Sequence, residues 1–109
     1  MLLFFLGIAG TEPLITTTAE DFENYFRVNT LGPLVLFQAF HDLLVKSTKP
    51  EKKFIITSTL AASITAVPNV PFPIGAYGAS KAAVNYVAAK LQQEHGEKEK
   101  IAIVSIHPG

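Results

Sequence analysis

The chain contains no cysteine and no tryptophan, and its formal net charge is zero. Without cysteine there is no disulfide, no thiolate metal ligand and no thiol chemistry. Nine basic residues balance nine acidic ones, so no electrostatic footprint points to nucleic acid or to an anionic membrane. Long hydrophobic runs are also missing. The most apolar stretch, residues 1–9, has no basic flank and falls far short of the roughly 20 residues a bilayer requires. It reads as a buried strand rather than as the core of a signal peptide. Apolar residues make up 49% of the sequence, enough for a core and too many for a disordered chain. The length of 109 residues sets the expectation of one domain, residues 1–109.

Strand-like apolar runs alternate with longer helical patterns, the signature of β-α-β units with a parallel sheet. Residues 2–8 read as a strand broken by Gly10, Thr11 and Pro13. Thr18 and Asp21 then mark a helix start, a hydroxyl cap with acids in the first turn. Phe22, Phe26, Asn29, Pro33, Phe37, Phe40 and Leu44 recur at helical spacing and put one face of a long helix against a core. Gly32-Pro33 interrupts that helix and predicts a kink near Asn29. A polar connector, 47–53, leads to a short buried strand at 54–57. The segment 61–75 carries Pro68, Pro71 and Pro73 and is expected to be irregular. Residues 76–95 are alanine-rich and predict a helix ended by Gly96. After a solvated turn at 98–100, residues 101–106 form a third strand. The order β-α-β-α-β makes part of a doubly wound sheet, with apolar surface and a strand edge left uncovered.

Tyr77-Gly78-Ala79-Ser80-Lys81 carries the chemistry. Tyr and Lys four apart on a helix face the same way. A phenol is a poor proton donor or acceptor at neutral pH, and a nearby ammonium favours the phenolate. A fall of about three units requires roughly 4 kcal/mol of differential interaction, which a partly buried lysine and a cationic cofactor ring together supply. Such a tyrosine can protonate a carbonyl oxygen as hydride arrives. Ser58 and Thr59 stand at the end of a strand, where parallel sheets open onto their ligand crevice. Either hydroxyl can hold a substrate oxygen, and either can be a strand-terminal cap. Asn29, on the apolar helix face, needs partners if buried. It can hold a water between Lys81 and solvent, or satisfy the backbone of the kink.

Together these segments resemble the short-chain dehydrogenase/reductase family. Val28-Asn29-Thr30-Leu31-Gly32-Pro33 is similar to its helix asparagine segment, and Ile55-Ile56-Thr57-Ser58-Thr59 to its serine strand. Ala76-Tyr77-Gly78-Ala79-Ser80-Lys81-Ala82-Ala83-Val84 is similar to its Tyr-x-x-x-Lys helix, and Ile106-His107-Pro108-Gly109 to its Pro-Gly turn. The wording is nearest to a branch with fungal carbonyl and polyketide ketoreductases. The resemblance implies a partial Rossmann-like, doubly wound α/β fold and a cytoplasmic oxidoreductase. It implies hydride transfer between NADP(H), or NAD(H), and a small-molecule carbonyl/alcohol pair. Tyr77 would be the acid/base, and Lys81 would support it and bind the nicotinamide ribose. Ser58 or Thr59 would orient substrate; the family register favours Thr59, and the choice stays open. Asn29 would complete a proton relay, and Pro108 and Gly109 would approach the carboxamide. The two long helices would form a homo-oligomer interface, or make the chain an inactive dimerisation module. No glycine-rich phosphate loop of the form G-x-x-x-G-x-G or G-x-G-x-x-G occurs, and Phe5-Leu6 replace the first two residues of the family's Asn-Ala-Gly turn. The expectation is therefore a fragment without the N-terminal nucleotide-binding half, which alone binds dinucleotide weakly or not at all.

Overall fold

The computed structural model describes residues 2–5, 8–48, 50–59 and 62–106, the first four as backbone only. Three strands, β1 (Leu2–Phe5), β2 (Lys53–Thr57) and β3 (Ala102–Ile106), form one sheet in the order β1-β2-β3. Both pairings are parallel, with Leu2 opposite Lys53 and Lys53 opposite Ala102. Parallel neighbours need long crossovers, and the helices supply them. This is a part of a Rossmann-like sheet, as the alternation of patterns predicts.

Alternation along β2 sets the layers. Phe54 and Ile56 are buried, and with Ile103 of β3 they pack against Phe37, Leu44, Val84, Ala88 and Leu91 from the helices. The alternate residues Val104 and Ile106 point the other way and are 41% and 38% exposed. The helical layer therefore covers one face of the sheet, and the opposite face presents apolar side chains, the uncovered surface expected from the sequence.

The first crossover starts at Thr18, whose Oγ1 accepts from the Asp21 N–H at 3.1 Å. Helix α1 (Ala19–Phe26) buries no residue. Phe22, placed by its spacing on the core face, is exposed and stacks on Phe26 with centroids 4.9 Å apart. The expected kink takes the form of a π-helical turn, Arg27–Leu31, before α2 (Gly32–Lys46). Gly32 N–H donates five residues back, to Arg27. Pro33 has no N–H, so the carbonyl of Asn29 loses its α-helical donor; the wider turn absorbs that loss. The helical run 19–46 is long and apolar enough to cross a membrane by length and composition. Here Phe37 and Leu44 within it are core residues, packed on the sheet.

The second crossover is α3 (Gly75–Leu91), on which Ala76, Gly78 and Ser80 are small and buried and let the helix lie close. The sequence places its end at Gly96. Instead a π-turn, Gln92–Gly96, carries it into the short α4 (Glu97–Glu99), and the chain reverses at Lys100, whose φ of 57° is left-handed. Gly96 serves another purpose. A Cβ there would strike the Gln92 amide, which reaches over it to accept from the Ile103 N–H at 2.7 Å. The glycine permits a close approach, and a lysine makes the reversal.

Candidate active site

The carboxyl ends of β2 and β3 meet the first turns of α3. Ser58 N–H donates to the Ile106 carbonyl at 2.5 Å, holding the two strand ends together. Lys81 crosses from α3 to this point. Its Nζ donates to the Thr57 carbonyl at 2.8 Å, and the residue is 2% exposed. Burial pushes the ammonium below the ordinary lysine value, because a desolvated cation is disfavoured. Tyr77 lies one turn earlier on the same helix. Its ring meets Tyr25 edge-on at 6.5 Å, and a small cleft there is lined by Gly10, Glu12, Thr17, Tyr25, Ile74 and Tyr77.

Asn29 is fully buried. Its Oδ1 accepts from Ile8 N–H at 2.7 Å; its Nδ2 donates to Ile8 O at 2.8 Å and to Ser80 Oγ at 3.0 Å. Ser80 Oγ in turn donates to the Tyr77 carbonyl at 2.7 Å, and Thr30 Oγ1 donates to the Ser80 carbonyl at 2.8 Å. The π-turn thus fastens the segment after β1 and the Tyr-Lys helix to itself. Both amide protons of Asn29 are committed to this network.

The two candidate hydroxyls separate. Ser58 is buried on the helix side, and its Oγ donates to Asn85 Oδ1 at 2.8 Å, two turns beyond Tyr77. Thr59 is half-buried and follows it at the mouth of the sheet. Pro108 and Gly109 lie outside the described residues, as do Leu6 and Gly7. Sequence reasoning overlooked Ser80, Asn85 and Thr30. Ser80 carried a usable signal: a small polar residue beside Lys81 on a buried face must find a partner.

Further along the rim, Glu12 N–H donates to the Pro73 carbonyl at 2.6 Å, and Glu12 and Ile74 form a parallel bridge. This ties the loop after β1 to the loop before α3. Leu14, Ile64, Val67, Val70 and Phe72 from those loops, with Gly78 and Ala82 of α3, line an apolar cavity of about 270 Å³. Ile74 lines both this cavity and the cleft at Tyr77.

These residues fit the ribose of a nicotinamide cofactor. Among the described residues Lys81 makes one hydrogen bond, which leaves two of its three donors for hydroxyls.

A family model described as short chain dehydrogenase matches residues 2–109. An uncharacterized oxidoreductase of Schizosaccharomyces pombe is 38% identical over 98 residues, covering 90% of this chain and 37% of that protein. The short-chain dehydrogenase srdF of Neurospora crassa is 37% identical over 104 residues, 94% of this chain and 39% of its own length. Among solved structures, the NADPH-bound carbonyl reductase from chicken fatty liver superposes with a TM-score of 0.86 at 28% identity, covering 95% of this chain and 43% of that one. The chain thus spans well under half the length of these relatives.

Proposed function

The chain belongs to the short chain dehydrogenase family, matched along residues 2–109, and on that premise we propose that it carries the acid/base site of a nicotinamide-dependent carbonyl reductase or alcohol dehydrogenase. The observation that carries this reading is the buried Lys81 ammonium, bonded to the Thr57 carbonyl at a strand end and one helical turn from Tyr77. A lysine 2% exposed is costly to keep, and its position one turn from a phenol is the return on that cost.

In this reading the Tyr77 hydroxyl gives its proton to the substrate carbonyl oxygen in reduction and takes it back in oxidation. Lys81 stabilises the phenolate left behind and holds ribose hydroxyls with its remaining donors. Thr59, half-buried at the end of β2 and in the family's serine position by register, orients the substrate oxygen. The Asn29 main-chain carbonyl is the acceptor for a water that resupplies Lys81. NADPH or NADH, when bound, supplies the hydride; the relative seen with NADPH makes NADP the first cofactor to try. The apolar cavity beside the cleft favours a substrate whose non-reacting part is apolar, such as an aryl ketone.

The test is turnover of aryl ketones by the 109-residue chain at millimolar NADPH or NADH, beside Tyr77→Phe. The expected loss is at least about 100-fold. Equal rates in the two proteins would contradict the proposal. A second reading, association of two copies through the helices, is favoured by Leu31, Val35 and Leu43 on α2 and its first turn, each about half exposed, and by Tyr86 on α3 at 69%. Sedimentation at rising concentration separates it.

A further inference from the structure

We propose that the chain holds a zinc site at the opposite end of the sheet, formed by His41, His95 and Glu99. The three side chains come from three different elements: α2, the π-turn after α3, and α4. They converge because the amino ends of β2 and β3 draw those elements together. His41 Nε2 lies 2.9 and 3.0 Å from the two Glu99 carboxylate oxygens, and His95 Nδ1 lies 2.6 Å from Oε1. One ligand atom from each residue can be chosen so that all lie within 4.8 Å of one another. Zinc with bonds of about 2.0–2.1 Å sets its ligands about 3.3 Å apart, so shifts of up to about 1.5 Å in ligand separation turn the present spacing into coordination spacing.

The rings are already oriented. Phe37, 2% exposed, lies 5.6 Å from each imidazole, and the two imidazoles are 4.9 Å apart. Lys52 turns its ammonium to the carbonyls of Val45 and Glu99, at 3.3 and 3.5 Å, and leaves the Glu99 carboxylate to the imidazoles. The Glu99 carboxylate lies 2.9 Å from His41 Nε2, and the Asp42 carboxylate 3.7 Å from Nδ1. With a metal on Nε2, the proton of the neutral imidazole resides on Nδ1, on the side of Asp42. His95 likewise shifts its proton to Nε2, so neutral imidazoles release none.

Two imidazoles and one carboxylate form a borderline donor set that suits zinc. All three residues are partly exposed, with side chains 27%, 31% and 18% accessible, which gives the ion an entry path and water the fourth position. The site lies away from Tyr77, so its effect is structural: it staples α2 to the segment that leads into β3. A ligand that binds only the folded chain raises its stability.

The test is titration of the metal-free 109-residue chain with Zn²⁺ against a chromophoric chelator, and with Co²⁺ as a spectroscopic substitute. The expected results are one ion per chain, four-coordinate Co²⁺ bands and a higher melting temperature with Zn²⁺. His41→Gln, His95→Gln and Glu99→Gln should each weaken Zn²⁺ binding by at least about tenfold, Asp42→Asn by less. His107→Gln, the chain's third histidine, should change nothing. Absence of saturable binding would overturn the proposal, as would wild-type affinity in folded ligand variants or equal loss in His107→Gln. If the ligand variants do not fold, the wild-type Co²⁺ spectrum decides: bands of a six-coordinate aquo ion overturn the site.

Discussion

Replacing Lys81 by Met should make the chain more stable and inactive. Lys81 is 2% exposed and makes one hydrogen bond, to the Thr57 carbonyl. Removing the charge relieves a desolvation penalty of several kcal/mol. Against this, the Thr57 carbonyl loses a charged donor, which costs about 1–3 kcal/mol. Methionine keeps most of the apolar stem, so packing changes little. The balance is a gain of about 1–2 kcal/mol at pH 7. The pH dependence gives the sharper test. Burial lowers the Lys81 pKa from the ordinary 10.5, so between the folded value and 10.5 the unfolded chain binds more protons. Stability contributed by this residue therefore rises with pH across that window, and the advantage of Lys81→Met shrinks towards pH 10.5. Urea unfolding of both proteins at several pH values measures the gap. A variant less stable by about 2 kcal/mol, with a gap insensitive to pH, would refute the reasoning. It would mean the ammonium holds the strand end at a net profit.

Asn29→Leu removes three hydrogen bonds, two to Ile8 and one to Ser80; thermal or urea unfolding should show a loss of about 2–4 kcal/mol, and a loss under about 1 kcal/mol would mean water replaces them. Ser58→Ala should cost about 1 kcal/mol of stability and leave turnover intact, whereas Thr59→Val should lower turnover about tenfold or more; the reverse pattern of turnover reassigns the substrate hydroxyl. Lys100→Gly should raise stability by up to about 1 kcal/mol, since a glycine takes the left-handed backbone of φ 57° without strain; a destabilised variant would show that the lysine side chain outweighs its backbone.

Much of this was legible in the sequence because it depends on local pattern. The three strands, the Thr18 cap and the interruption at Gly32-Pro33 follow from side-chain periodicity and from the missing proline N–H. What escaped the sequence depends on side chains distant along the chain. Phe22 has helical spacing with the core residues but sits on α1, which buries nothing, and its ring stacks on Phe26 instead of entering the core. Gly96 looked like a helix stop because glycine favours left-handed backbone; only the Gln92 amide crossing to Ile103 shows why it is there. The partner of Ser58, Asn85, lies 27 residues on and could not be read from the strand. The histidine–glutamate cluster joins residues 58 apart, beyond any local pattern.

The most direct test of the Tyr77–Lys81 site is the turnover of Tyr77→Phe, Lys81→Met and the double variant with one aryl ketone and millimolar dinucleotide. Residues that act as a unit are not additive, so each single variant should fall to the same residual rate as the double. Rates that multiply independently, or a Tyr77→Phe protein as active as the wild type, would contradict the account.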